Sequence, residues 1–125
     1  MKRSPLVLAS VAALMGAAGV ALAAAGVHEN GGELVLRSSR FLLLHACAAL
    51  AIAAHARVAT ASARALIIVG FVMEAGAILF SAELAIHVFA GVRIFRFAAP
   101  IGGTTMLLAW IALAVVFATA GRSDG

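Results

Sequence analysis

The amino-acid sequence predicts an all-α integral membrane protein folded as an antiparallel four-helix bundle. Of its 125 residues, 65% are hydrophobic and only 11% are charged, which leaves too little polar surface for a water-soluble domain of this size. The hydrophobic residues fall into four runs that are long enough to span a bilayer, and the connections between them are short. We therefore predict a single domain over residues 1–125, with helices at about 5–27, 38–56, 65–90 and 97–120.

The first helix follows Lys2 and Arg3, so the amino terminus imitates a secretory signal peptide. Its apolar run over residues 6–27 is 22 residues long, which exceeds a typical signal core and is sufficient to cross a membrane. We interpret it as a retained helix, with cleavage as the alternative. Small residues recur along it at steps of three and four, and we expect Gly16 and Gly19 to allow close contact with another helix.

The second helix is predicted from a run that is short and interrupted by a histidine. Residues 41–54 are apolar apart from His45, and these 14 residues are too few to cross a bilayer. We extend the helix to residues 38–56, which gives 19 residues. A membrane tolerates this extension because the long side chains of Arg40 and Arg57 can reach the two membrane interfaces. Counted from the start of the apolar run at residue 41, His45 lies about one helical turn from the first connection.

The fourth helix begins with residues that mark a helix boundary. Pro100 lies in the first turns of the run over residues 97–120, where the amide hydrogen that it lacks would have no intrahelical partner. Gly102 and Gly103 follow it, and we expect them to pack tightly under a neighbouring helix, with a ligand-binding loop as the alternative. Trp110 is predicted to be core or lipid-facing bulk.

The charged residues are typical of membrane flanks. Nine Lys and Arg outnumber five Asp and Glu, but they are scattered in small groups between apolar runs, so we predict no nucleic-acid partner. Four passes place both termini on one side, where five Lys and Arg against four on the other side favour the cytoplasm. We predict the inner membrane of a bacterium as the location. The lone Cys47 lies in an apolar run, which argues against a disulfide or a nucleophile.

Several short strings spread along the chain carry a resemblance to a known family. The strings at residues 25–28, 44–50, 79–81, 100–103 and 109–110 resemble, in order, Gly-Ala-Phe-Gly-Ala-His, aromatic-His-Ala-Leu-Ala-Leu, Leu-Phe-Ser, Thr-Pro-Ile-Gly-Gly and Gly-Trp. Together they resemble the YgdD family of small uncharacterised membrane proteins, which has mitochondrial relatives. The resemblance implies a four-helix membrane fold and supplies no catalytic mechanism.

The chain departs from that family pattern at two places. Residues 82–85 read Ala-Glu-Leu-Ala where the family reads Gly-Ser-Leu-Tyr, and Ala99 replaces the threonine before Pro100. If the serine and tyrosine hydroxyls act in relatives, Glu83 and His87 have replaced that chemistry in this chain.

Ionisable side chains inside the apolar runs are the candidate functional residues, because their burial in a membrane is costly. Glu74 and Glu83 are nine residues apart, about two and a half helical turns, so they face opposite ways and form no carboxylate pair. Glu83 and His87 are four apart and share a face. Glu74 has no partner nearby in sequence. Alternating helix directions predict a polar cluster near the non-cytoplasmic membrane face that comprises His28, His45, Glu83 and His87.

Three hypotheses account for these residues. They satisfy one another and lock the bundle, or Glu74 faces a neighbouring subunit, or they form a metal, haem or proton-handling site. No metal-binding spacing, CxxCH haem motif or phosphate loop supports the third hypothesis. We therefore predict no catalytic residue, no metal ligand and no cofactor.

The predicted function is that of a non-enzymatic accessory or assembly component. We expect its partners to be the lipid bilayer and other membrane subunits, with a respiratory or other energy-transducing complex as the partner class. The alternative is a small oligomeric transporter or proton-linked channel that uses Glu74 and the pair of Glu83 and His87. An enzyme with haem or metal is the third choice.

Overall fold

A computed structural model of the chain describes residues 2–28 and 32–123, and these form four helices. The helices are α1 (Ser4–Gly26), α2 (Gly32–Val58), α3 (Ala63–Ala90) and α4 (Ala98–Ser123). All four are long and apolar enough to cross a membrane, so the predicted all-α, four-helix membrane architecture is confirmed. We call the end where α1 begins and α4 ends the terminal end, and the opposite end the distal end.

Helix α2 begins at Gly32, six residues before the predicted start at residue 38. The added segment is partly polar, which hid it from a search for apolar runs, but Glu33 and Arg37 form an ion pair of 3.7 Å along the helix. Val35 of the same segment is fully buried. The earlier start moves His45 from the predicted position near the first connection to the middle of α2.

Helix α3 is the centre of the bundle. It contacts α1, α2 and α4, whereas the backbone of α4 closely approaches only α3 within the described residues. Half of the apolar window of α3 is buried, compared with 22% for α1 and for α4. Helices α1 and α4 are therefore the outer helices, and most of their surface faces away from the bundle.

The interior consists of two apolar clusters, one in each half of the bundle. Helices surrounded by lipid gain little from hiding apolar side chains, so these clusters stabilise the bundle mainly by close van der Waals packing. The terminal half is packed around Leu8, Ile52, Ala53, Leu66 and Met73. The distal half is packed around Met15, Leu42, Ala46, Ala77 and Met106.

Three buried serines bond α2 to both of its neighbours. The Ser38 hydroxyl donates to the Ser81 carbonyl at 2.8 Å, and the Ser81 hydroxyl donates back to the Ser38 carbonyl at 3.1 Å. The hydroxyl of Ser39 donates to the carbonyl of Gly19 in α1 at 2.7 Å. Interhelical hydrogen bonds of this kind contribute roughly 0.6 kcal/mol each in membranes, and here they also fix the register of three helices.

Glycines bring the backbones of α3 and α4 together. A Cβ atom on Gly102 would lie 2.7 Å from the Phe80 nitrogen and 2.8 Å from the Gly76 carbonyl oxygen, so only glycine fits. The neighbouring Gly103 has room, because its Cβ would meet nothing closer than a Phe80 ring carbon at 3.9 Å. In α1, a Cβ on Gly19 would collide with the side chain of Leu43, whereas one on Gly16 would meet nothing within 4 Å.

The two adjacent glycines of α4 provide a matched test of this contact. We expect Gly102→Ala to push α3 and α4 apart and to lower the free energy of unfolding by about 1–3 kcal/mol. Gly103→Ala should leave stability unchanged or raise it by up to about 1 kcal/mol, because alanine favours helix and no atom obstructs it. Thermal unfolding in detergent micelles measures both, and equal destabilisation by the two substitutions would contradict the proposed close contact.

Candidate functional site

Glu83 is a buried carboxylate that holds the chain segment leaving α3. Helix α3 is capped by Gly91, whose φ of 68° is left-handed and favours glycine, and the chain then turns back. The Ile94 amide in the returning segment donates to Glu83 Oε2 at 2.8 Å. Glu83 is only 3% exposed. Its carboxylate therefore closes the turn between α3 and α4.

The connection at residues 91–97 has the composition of a membrane-interface anchor. Its large apolar side chains are exposed and alternate with Arg93 and Arg96. The Arg96 guanidinium lies 5.3 Å from the centre of the Phe97 ring, a cation–π distance. Aromatic and basic residues of this kind are typical of the boundary between hydrocarbon and lipid headgroups.

His45 links α2 to α4 halfway along the bundle. Its Nδ1 lies 2.6 Å from the Phe41 carbonyl oxygen, and the Trp110 indole nitrogen lies 3.1 Å from its Nε2. An indole N–H can only donate and a carbonyl can only accept, so Nε2 accepts and Nδ1 carries the hydrogen. The neutral imidazole thus satisfies both ring nitrogens, and the two rings meet edge to face with centroids 5.9 Å apart.

The structure separates the residues of the predicted polar cluster. His45 lies in the middle of α2 and is bonded to Phe41 and Trp110, while Glu83 is bonded to the Ile94 backbone. His28 and His87 are exposed at the distal end. Across residues 2–28 and 32–123, no ion pair joins Glu83 to His87, and no three His, Cys, Asp or Glu side chains are grouped as metal ligands would be. The earlier start of α2 accounts for the displacement of His45.

Sequence reasoning missed three kinds of contact in this region. The serine bonds of α2 could have been suspected, because hydroxyls inside apolar runs need acceptors. No sequence signal connects His45 to Trp110, which is 65 residues away. His55 was also overlooked: its Nδ1 lies 3.0 Å from the Ala51 carbonyl oxygen, and its ring meets Phe117 of α4 edge to face.

Among the described residues, Glu74 alone has buried side-chain oxygens without a hydrogen-bond partner, and both of its carboxylate oxygens lack one. It is 2% exposed and lies near the middle of α3. One turn earlier, a Cβ on Gly70 would touch Leu8 of α1 and Ile52 of α2, so this side of α3 faces both helices. An ionised carboxylate in such a place costs several kcal/mol unless a counter-charge, a proton or water satisfies it.

Cavities border the bundle within the part of the chain that the structure describes. An apolar groove of about 380 Å³ runs between α1 and α3, and Met15, Leu22, Ile78 and Ala82 are among its lining residues. At the terminal end, a cavity of about 440 Å³ has a mixed lining that includes His55, Thr60 and Phe117. A second terminal-end cavity of about 350 Å³ is lined partly by Lys2 and Arg57.

The two glutamates of α3 should respond oppositely to the same substitution. Glu83→Met removes the acceptor of the Ile94 amide, so we expect the free energy of unfolding to fall by about 1–3 kcal/mol. Glu74→Met removes a carboxylate that has no partner, so we expect stability to be unchanged or higher. Both are measured by thermal unfolding of the purified protein in detergent. A comparable loss in Glu74→Met would show that this carboxylate is paired within the isolated chain.

The comparisons with known proteins assign the chain to a family. Residues 15–103 match a family described as protein of unknown function (DUF423), a range that runs from within α1 into α4 and includes Glu74 and Glu83. No curated protein and no solved structure matches the chain. The expected likeness to a family of uncharacterised proteins is confirmed under that description. Because the match covers well over half of its residues, the chain belongs to the DUF423 family.

Proposed function

We propose that this protein is a non-enzymatic accessory component of a larger membrane complex and that other membrane subunits pack against α1. The observation that carries the proposal is a difference between the outward faces of the two outer helices. Each of them buries one face in the bundle, but their exposed faces differ in side-chain size.

The outward face of α1 consists largely of small residues. Between residues 10 and 24, Leu14 and Val20 are the large exposed side chains, and the small ones recur at steps of three and four along one face. Small residues at this spacing are enriched where membrane helices approach each other closely. The exposed small residues of this face are Ser10, Ala13, Ala17, Ala21 and Ala24, and Ala18 beside them is exposed as well.

The outward face of α4 is bulky by comparison. Its exposed side chains include Leu107, Leu108, Ile111, Val115 and Phe117. Branched and aromatic side chains of this size fill the space between lipid tails and keep another helix backbone at a distance. The contrast supports a partner helix on α1 and lipid on α4.

The short connections also support a role within the membrane. The described connections at residues 59–62 and 91–97 contain no helix or strand of their own. A protein arranged in this way presents mainly helix faces and helix ends to its surroundings. Contacts with other membrane helices are the interaction that such a surface offers.

The proposal is tested by matched substitutions on the two outer faces. In mild detergent at native expression level, the unmodified protein should migrate in an assembly larger than its own bundle. Ala17→Phe places bulk on the α1 face and should release the protein from that assembly, whereas Ala114→Phe on exposed α4 should not. Both purified variants should keep the parent's unfolding temperature. Migration of the unmodified protein alone, or equal release by both variants, would contradict the proposal.

Glu74 supports a second candidate, a small oligomeric transporter or proton-linked channel. Transporters place ionisable side chains in bundle interiors, where a permeating ion or proton satisfies them, and both Glu74 oxygens have no described partner. Glu83 is a matched control, because its carboxylate is already bonded to Ile94.

Flux measurements in liposomes decide on this candidate. Under a potassium diffusion potential, a proton-linked transporter should acidify or alkalise the lumen faster than empty liposomes do. Glu74→Gln should reduce that rate to the empty-liposome level, while Glu83→Gln should retain most of it. Absence of flux for protons and small ions in the unmodified protein would exclude the candidate.

A further inference from the structure

We propose that the terminal-end cavity lined by Lys2 and Arg57 binds the phosphate group of an anionic phospholipid. We call this cavity the basic cavity. It lies where α1 begins, α2 ends and α3 begins, and its volume is about 350 Å³. That volume is in the range of small-ligand sites and can hold a phosphate with its glycerol carbons.

The lining of the basic cavity is divided between charge and apolar surface. Lys2 and Arg57 are its two cationic members, while Pro5, Ala63 and Ile67 are among its apolar members. An arginine presents a planar fork of donors that matches two phosphate oxygens, and a lysine adds a compact positive charge. A free phosphate would use only the cations, whereas a phospholipid would also use the apolar wall.

The positive charge of this end is not neutralised by the described acidic residues. The ion pair found within residues 2–28 and 32–123 joins Arg37 to Glu33 at the distal end. Glu83 also lies in the distal half and Glu74 lies midway, while Glu29 and Asp124 are outside the described residues. The Lys and Arg residues of the terminal end are Lys2, Arg3, Arg57, Arg64 and Arg122.

The two helices that begin beside the basic cavity add to its positive potential. Helices α1 and α3 run in the same direction, and Pro5 and Ala63, from their first turns, line the cavity. Neither helix has an acidic residue in its first turn or a side-chain cap. Their unbonded amide groups therefore contribute partial positive charge to a site that Lys2 and Arg57 already define.

The position of the basic cavity favours a lipid source for the phosphate. The cavity lies at the ends of helices that are long and apolar enough to cross a membrane, which is the depth of lipid headgroups. Basic pockets between membrane helices at this depth are suited to anionic headgroups. The occupant is thus a phospholipid whose phosphate contacts Lys2 and Arg57 and whose first acyl carbons contact Pro5 and Ile67.

Lipid binding to the full chain in detergent tests this proposal. Native mass spectrometry of the delipidated protein should show phosphatidylglycerol bound about 10- to 30-fold more tightly than phosphatidylcholine. The double variant K2Q/R57Q should lose this preference. The double variant R64Q/R122Q removes the same charge from the same end without altering the lining, and it should change the affinity less than about twofold.

Three results would overturn the proposal. Equal loss of the phosphatidylglycerol preference in both double variants would mean that diffuse charge attracts the lipid. Equal binding of phosphatidylglycerol and phosphatidylcholine by the unmodified protein would mean that no site exists. Displacement of phosphatidylglycerol by equimolar inorganic phosphate would identify a soluble phosphate site instead. If circular dichroism shows that K2Q/R57Q does not fold, the single variants Arg57→Gln and Arg64→Gln distinguish a defined site from diffuse charge in the same way.

Discussion

Close backbone contact around α3 is what holds four apolar helices together where hiding apolar surface contributes little. The contact takes two chemical forms. Toward α4, Gly76 and Gly102 remove the side chains that would keep the backbones apart, and toward α2, Ser38 and Ser81 exchange hydrogen bonds with each other's carbonyl groups. These contacts set the register in which α2 and α4 meet across α3, and Ser39 of α2 in turn holds α1.

Some buried polar side chains of the bundle have hydrogen-bond partners and others have none. The serines, His45 and Glu83 all have partners, so their burial adds to the specificity of the bundle. Glu74 differs, because the described residues provide no partner for its oxygens. A group of this kind is retained at a cost in stability, and such costs concentrate at positions that meet something beyond the chain itself.

The number and type of the helices could be predicted from the sequence, because a long apolar run in a membrane protein can adopt few structures other than a membrane-spanning helix. The predicted start of α2 was wrong, since the helix begins at Gly32 and its first turns, which contain the ion pair of Glu33 and Arg37, lie outside the apolar run. The candidate site was harder, because polarity within a run identifies residues but not their partners. The contact of His45 with Trp110 depends on the relative register of two helices, which spacing along one chain does not encode.

The bond between Trp110 and His45 also gives the protein an optical property. The chain has one tryptophan and no tyrosine, so its near-ultraviolet emission comes almost entirely from a single indole. The N–H of that indole is committed to a ring nitrogen on another helix. The tryptophan fluorescence of the unmodified protein therefore reports the separation between α2 and α4 at the middle of the bundle, and no attached dye is needed.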